Sequence, residues 1–249
     1  MVSFAMKTHY GTFIIALAVV ASAFILMNGI RTRNRFQEAV RVTGLGSKNF
    51  NADLIVWKGS FSRKNMDLKA AYAALDHDRS VIRSLMEKNG LTTKELVFSS
   101  VQITRDYSET FDAHGNRTSS VFNGYVLDQN LEIESASVDR VEALSRIAVN
   151  ELINNNIEFT SEEPDYFYTK LSNLKLEMIS MATEDARLRA QNIVEHSGAQ
   201  LGKLKQADMG VIQIVGQNST EDYSWGGSFN TKSKRKTASI TVDLEFEID

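Results

Sequence analysis

Residues 237–248 read "TASITVDLEFEI", the clearest pattern in the chain. Ala238, Ile240, Val242, Leu244, Phe246 and Ile248 alternate with Ser239, Thr241, Asp243, Glu245 and Glu247. Successive side chains of a strand point to opposite faces, so this period of two marks one buried face and one face toward water or a polar partner. An unpaired strand with six such apolar residues would be a long sticky edge. The stretch is therefore expected to pair centrally, or along most of its length, and to bury Ile240, Val242, Leu244 and Phe246.

Working back from it, Gln217 to Lys236 reads as a polar, aromatic loop, and "KLKQADMGVIQIVG" before that loop as a strand. Leu171 to about Ser197 has helical spacing, with Leu171, Leu174, Met178, Met181, Asp185 or Ala186, Arg189 or Ala190, and Ile193 on one side and Gly198 as the stop. "IEFTSEEPDYFYT" is strand-like but holds the only proline, Pro164, so pairing there should be at an edge or interrupted. A helix begins at Ser137 as N-cap, with Asp139 in its first turn and Val141, Leu144, Ala148 and Leu152 as its buried stripe. "LVFSSVQITRDYSETF" and "SSVFNGYVLDQNLEIES" flank "DAHGNRT", whose Gly and Asn suit a hairpin connection. A helix through "NMDLKAAYAALDHDRSVIRSLMEKNG" carries Met66, Ala70, Ala74, Val81, Leu85 and near neighbours, and ends at Gly90.

Two strands, residues 39–47 and 52–63, come first in the domain. Within the first and just past it, "RVTGLGSKNF" (41–50) sets Gly44 and Gly46 one residue apart. A dinucleotide fingerprint requires a third glycine three residues later at a helix start, and that position is Asn49, followed by a strand pattern. A phosphate loop would need Gly-Lys-Ser/Thr, which is absent. These glycines serve the backbone instead, permitting a bulge or a close approach at a strand start.

The chain has 249 residues, 43% hydrophobic and 24% charged, enough for one large domain or two small ones. With no internal linker in the pattern, residues 39–249 read as one α+β domain, an antiparallel-rich sheet packed with about three helices. A formal net charge of −3 argues against a nucleic-acid surface. Zero cysteines exclude disulfides, thiol catalysis and thiolate metal sites.

Before the domain, Gly11 to Ile30 reads "GTFIIALAVVASAFILMNGI", with no charge over a length that crosses a bilayer as a helix. Lys7 precedes it, Arg31, Arg33 and Arg35 follow, and residues 31–38 read as a linker behind a cytoplasmic-side tail at 1–10. A cleaved signal peptide with Ala21-Ser22-Ala23 as its cleavage site is one reading. An uncleaved anchor is favoured, because "FILMNGI" continues the apolar run past that site. The three arginines vote weakly for a cytoplasmic domain, since large domains translocate regardless of such charges.

Searching for chemistry gives little. His9, His77, His114 and His196 are not spaced as metal ligands. Asp76, His77 and Asp78 are consecutive, so on a helix they point to different faces and read as a solvated surface. There is neither a G-x-S-x-G elbow nor an H-E-x-x-H pair. Asp185 and Arg189 at i,i+4 read as a surface ion pair, with a polar anchor to the sheet as the functional alternative. The run "KSKRK" (232–236) reads as gatekeeping beside a strand, in preference to a lipid or nucleic-acid patch. "DYSWGGSF" (222–229) offers Tyr223, Trp225 and Phe229 as a contact loop. No catalytic, cofactor-binding or metal residue is assigned.

Three landmarks nevertheless occur in order. Val42, Thr43, Gly44 and Gly46 form a V-T-G-x-G strand. Gly124, Tyr125, Gln129 and Leu131 form G-Y-x-x-x-Q-x-L. Asp185, Ala186, Arg187 and Ala190, then Gly198, Leu201 and Gly202, form D-A-R-x-x-A followed by G-x-x-L-G. In these landmarks, spread over residues 40–248, the chain resembles the SIMPL-domain proteins, a bacterial envelope group. "EEPDYFYTKLSNLKLEM" is longer than the connection in many members. The resemblance implies an α+β domain, an N-terminal export or anchor segment and a location on the periplasmic side of the inner membrane, anchored or released. It implies no accepted catalytic residues and no cofactor. The function expected is non-enzymatic, through homo-oligomers or an envelope protein partner. The rivals are a small-ligand binder lined by Trp57, Tyr125 or Tyr166, and, weakest, a hydrolase with scattered carboxylates.

Overall fold

A computed structural model describes residues 3–35 and 38–249, with side chains described for 13–30 and 38–249. Lys7, His9, Arg31, Arg33 and Arg35 lie outside the described side chains. The first helix, α1 (Ser3–Arg35), covers the whole predicted span and runs on through most of the stretch read as a linker. Phe13–Ile30 within it is apolar on every side and entirely exposed, with a mean hydropathy of 2.4. By length and composition this helix is able to cross a membrane or to serve as a signal sequence.

Beyond α1 come strands β1 (Ala39–Asn51) and β2 (Leu54–Asn65), helix α2 (Leu68–Lys88), and strands β3 (Leu96–Phe98), β4 (Gln102–Phe111) and β5 (Arg117–Ser135). Helix α3 (Val138–Asn154), strands β6 (Phe159–Ser161) and β7 (Asp165–Phe167), helix α4 (Leu171–His196), and strands β8 (Leu201–Met209), β9 (Gln213–Gly216) and β10 (Arg235–Ile248) complete the fold. The chain divides into two compact units: Met1–Ser47, Lys175–Ile212 and Ser239–Asp249 make the first, Lys48–Leu174 and Gln213–Ala238 the second.

In the first unit β10 lies between β1 and β8, as its alternation requires. Antiparallel pairing with β8 runs from Val242 opposite Met209 to Ile248 opposite Leu201. Ala39–Ser47 alternates buried and exposed, and Ile240, Val242, Leu244 and Phe246 are buried with Val40 and Val42; Ser239, expected on the polar face, is buried too, and Ile248 at the strand end is half-buried. Met178, Ala182, Ala186, Ala190 and Val194 make the buried line of α4. Met181 and Ile193, expected on that line, are exposed. A strict four-residue step, with alanine at its three central positions, decides the contact, and Met181 and Ile193 beside it are left out.

The second unit is a six-stranded antiparallel sheet in the order β3-β5-β2-β6, with β4 continuing beside β5 and β7 beside β2. Pro164 falls between β6 and β7 and breaks what would be one strand into two short ones. Ile55, Trp57, Phe61, Leu127, Leu131 and Ile133 of the sheet meet Ala71, Leu75, Ile82 and Met86 of α2 and Val141, Leu144, Ala148 and Leu152 of α3 in one core. The α3 stripe is as expected, although the Ser137 side chain makes no capping bond. On α2 the buried line lies one residue along from the expected one, with Ala70, Ala74 and Met66 exposed. Apolar residues occupy adjacent positions there, and periodicity alone does not choose between them.

Candidate functional site

The glycines of 41–50 are explained by α4. A side-chain carbon on Gly44 would overlap the Ala182 carbonyl and sit 2.5 Å from the Ala186 nitrogen. One on Gly46 would overlap the Met178 carbonyl and lie 3.1 Å from the Ala182 nitrogen. Two landmarks distant in sequence are thus the two sides of one contact, backbone of β1 against small residues of α4. Asp185 secures it by accepting the Leu45 N–H at 2.8 Å, while the Arg189 guanidinium donates to the same carboxylate oxygen at 2.9 Å. Those two bonds, the backbone one first, hold the Asp185 carboxyl below the usual carboxylate range. The reading of Asp185–Arg189 as a mere surface pair is corrected: Asp185 anchors the sheet edge. On the far face of β1, Thr43 donates to the Asp243 carboxylate, while Val42 is buried on the same face as Gly44 and Gly46. Arg187 turns outward to Glu184 at 2.9 Å. Gly198 ends α4 with φ +83°, while Leu201 and Gly202 begin β8.

The middle landmark belongs to the second unit. Gly124, at φ +119°, would set a side-chain carbon 2.7 Å from the Asn65 carbonyl, so only glycine fits where β5 bends past the end of β2. Tyr125 stacks edge-on with Phe122 at 5.1 Å, and Leu131 is in the core. Gln129 is buried, donates to the Ser99 carbonyl at 2.7 Å, and has a side-chain oxygen with no partner among the described residues. A buried water is the ordinary occupant of such a position.

Asp78 overturns the solvated-surface reading of "LDHDRS". It is only 1% exposed and receives both forks of Arg63, one at 2.8 Å, while Arg63 also donates to the Asn156 carbonyl at 2.7 Å. The carboxylate lies on the α2 face that packs on β2, and a buried carboxylate requires such a partner. Asp76 pairs with Arg79, and His77 is exposed.

An open cleft of about 1420 Å³ lies in the second unit. Asn51–Leu54, Ala136–Arg140, Glu142, Thr169, Lys170, Gln217 and Ser233–Arg235 line it. Inside it the Lys234 ammonium donates to Asp139 and, at 2.6 Å, to Glu142, which hold its pKa above the ordinary lysine value. Asp53 accepts the Thr169 N–H at 2.7 Å and its hydroxyl at 2.8 Å. The "KSKRK" run is therefore not a row of free gatekeepers. Lys232 bonds Asp165 at 2.9 Å, Lys234 the α3 carboxylates, and Lys236 is buried, donating to the Asn230 carbonyl. Burial lowers the Lys236 pKa to about 8. Trp57 and Tyr166 are core residues and do not line the cleft.

In the aromatic loop, Trp225 is fully exposed at a turn, and Tyr223 and Phe229 are largely exposed. The loop is tied at both ends: Gln213 donates to the Ser224 carbonyl at 2.8 Å, and Ile214 bridges to Phe229. Among the described residues no three His, Cys, Asp or Glu side chains gather as a metal site.

Comparison with curated proteins returns no match. Among solved structures, an amidase of the hydantoinase/carbamoylase family from Burkholderia phymatum is similar at 17% identity, over 53% of this chain and 32% of that one, with a TM-score of 0.25. The chain thus spans about a third of that protein, and the likeness carries no argument about activity. The family model described as SIMPL, protein of unknown function (DUF541), matches residues 40–246, which hold the β1–α4 contact, the Gly124 bend and β10. This chain belongs to the SIMPL family.

Proposed function

We propose that the chain is a non-enzymatic protein of a bacterial cell envelope. In this reading it is anchored in the inner membrane by α1 or released from it, with residues 39–249 acting as one domain on the periplasmic side. It acts there through self-association or by binding an envelope partner. The observation that carries the proposal is Phe13–Ile30: eighteen residues, apolar and entirely exposed, a surface that insertion in a bilayer or an export step would account for. The family span of 40–246 supports a single working domain. Trp225 and its neighbours are the contact residues proposed for a partner.

Reporter fusions after Asp249 test the sidedness. A reporter active only outside the cytoplasm should work, and one that works only in the cytoplasm should be silent; the reverse result would remove the periplasmic reading. Sedimentation of the full chain in detergent should show association at micromolar concentration. A strictly monomeric chain that also captures nothing on cross-linking in cells would leave the binding role without support.

One observation favours small-ligand binding as a second reading, the cleft beside the α3 N-terminus. Its openness contrasts with ligand pockets that bury most of a ligand's surface. If this reading holds, one or more members of a panel of small charged metabolites should raise the melting temperature. No shift across the panel would retire it.

A further inference from the structure

The β4–β5 hairpin extends well beyond the sheet that carries it. Pairing of β5 with β2 ends at Tyr125 opposite Asn65, while β4 and β5 remain paired from there to Phe111 opposite Arg117. The outer part is a two-stranded ribbon with exposed Tyr107, Phe111 and Val121. A lone ribbon of this kind is marginal in water, and three or more strands are the usual minimum. Among the described residues β4 pairs with β5 alone, so its other edge is open over ten residues.

That edge has a defined polarity. The Asp112 N–H donates to the Asn116 carbonyl, and the Thr110 carbonyl faces β5, where it accepts from the Thr118 hydroxyl, so the even-numbered residues turn their main-chain groups inward to β5. The two register shifts of the ribbon fall between Asp106/Tyr107 and Thr110/Phe111, and each leaves the extra residue on β5. The alternation of β4 is therefore unbroken. Ile103, Arg105, Tyr107, Glu109 and Phe111 present their N–H and C=O groups outward.

We propose that β4 pairs with β4 of a second copy of this chain, antiparallel about a two-fold axis through Tyr107, to make a four-stranded sheet from two ribbons. The sequence is self-complementary about that residue. Arg105 faces Glu109 of the second copy and Glu109 faces its Arg105, each Glu109 also holding Arg117 of its own ribbon at 2.8 Å; Ile103 faces Phe111, and Thr104 faces Thr110. All the outward-bonding residues then face one another in hydrogen-bonded pairs, as an antiparallel ladder demands. Moving the axis to Asp106 sets Asp106 against itself and Ile103 against Glu109. Moving it to Ser108 sets Arg105 against Phe111. Opposite charges directly across strands stabilise and like charges destabilise, so charge complementarity selects the Tyr107 axis. A two-fold interface with the same patch on both partners is also the commonest closed arrangement. This inference rests on the self-association reading and names its surface.

The chain has no cysteine, which makes introduced thiols unambiguous. Thr104 and Thr110 would form a non-hydrogen-bonded pair across the axis, with Cα atoms about 4.5 Å apart, within the usual disulfide range of about 4.4–6.8 Å. Full-length chains carrying Thr104→Cys and Thr110→Cys are purified separately in detergent, mixed, and oxidised with copper phenanthroline. The mixture should give a covalent dimer. Neither variant alone should do so, because identical positions would lie six residues apart, roughly 20 Å. Arg105→Glu should weaken association measured by sedimentation about tenfold or more, and adding Glu109→Arg should restore it. Association by sedimentation with no cross-link in the mixture, or with equal cross-linking of each variant alone, would overturn the β4 pairing and leave self-association standing. A wild-type chain that stays monomeric at high micromolar concentration would overturn both.

Discussion

Gly44 shows how one missing carbon sets a whole contact. Its backbone lies so close to α4 that a methyl group has no space between the Ala182 carbonyl and Ala186. Gly44→Ala should cost at least about 1–3 kcal/mol, the usual cost of overpacking, and lower the melting temperature on the order of 5 °C. Gly226→Ala, where nothing lies within 4 Å, is the control and should melt close to wild type. Equal shifts for the two would mean that the β1–α4 contact does not depend on the glycine. Asp185 acts beside it through its charge. Its folded pKa is depressed, so its contribution is present above the ordinary carboxylate value of about 4 and is lost as pH falls through the lower folded value. Asp185→Asn should therefore melt below wild type near neutral pH, and the gap should close as the pH is lowered below about 4. A gap independent of pH would show that the ionised form is not what holds Leu45. None of this geometry could be read from i,i+4 spacing, which shows that Asp185 and Arg189 meet but not that a strand edge lies beside them.

At the scale of elements, β10 is where pattern and packing agree from Ile240 to Phe246, with Ser239 as the exception. Its alternation is carried through a strand paired on both sides, and Val242 is 4% exposed while Thr241 is exposed. Val242→Asp would place a charge among Val40, Leu244 and their neighbours in the buried set. It should unfold or aggregate the protein, whereas Thr241→Asp should be mild. Thermal melting of the two full-length variants decides this, and similar melting temperatures would contradict the buried face. Helix α2 marks the limit of the same reasoning. Its apolar residues fill neighbouring positions, so the period is plain but the buried face is set by where β2 and Arg63 lie. Asp78 is on that face because Arg63 reaches it from the sheet, a partner fifteen residues earlier in the chain.

For the molecule as a whole, α1 is a helix whose described apolar residues, Phe13–Ile30, are exposed. Phe13, Leu17, Phe24 and Ile25 are each more than 60% exposed. In the anchored reading, Val20→Arg near the middle of the span should disfavour insertion by about 2.5–3.5 kcal/mol. Wild-type protein should stay with the membrane after a high-salt wash, and a substantial part of the variant should appear in the soluble fraction. Equal retention of the two proteins would count against a membrane-spanning α1.

The sequence by itself determined the elements whose signal is local: the apolar span, the alternating β10, the hairpin, the stop glycines and the three family landmarks. Each of these depends on residue order within a few turns or a single strand. Tertiary structure alone decided what those landmarks touch. Gly44 meets Ala182 and Ala186 only because strand and helix pack across some 140 residues of chain, and Lys232, Lys234 and Lys236 find separate acceptors only once Asp165, α3 and Asn230 surround them. The open edge of β4 belongs to the same class. A strand pattern states which faces are apolar, but which edge lacks a neighbour is settled by the order of strands in the sheet, and that order is a property of long-range pairing.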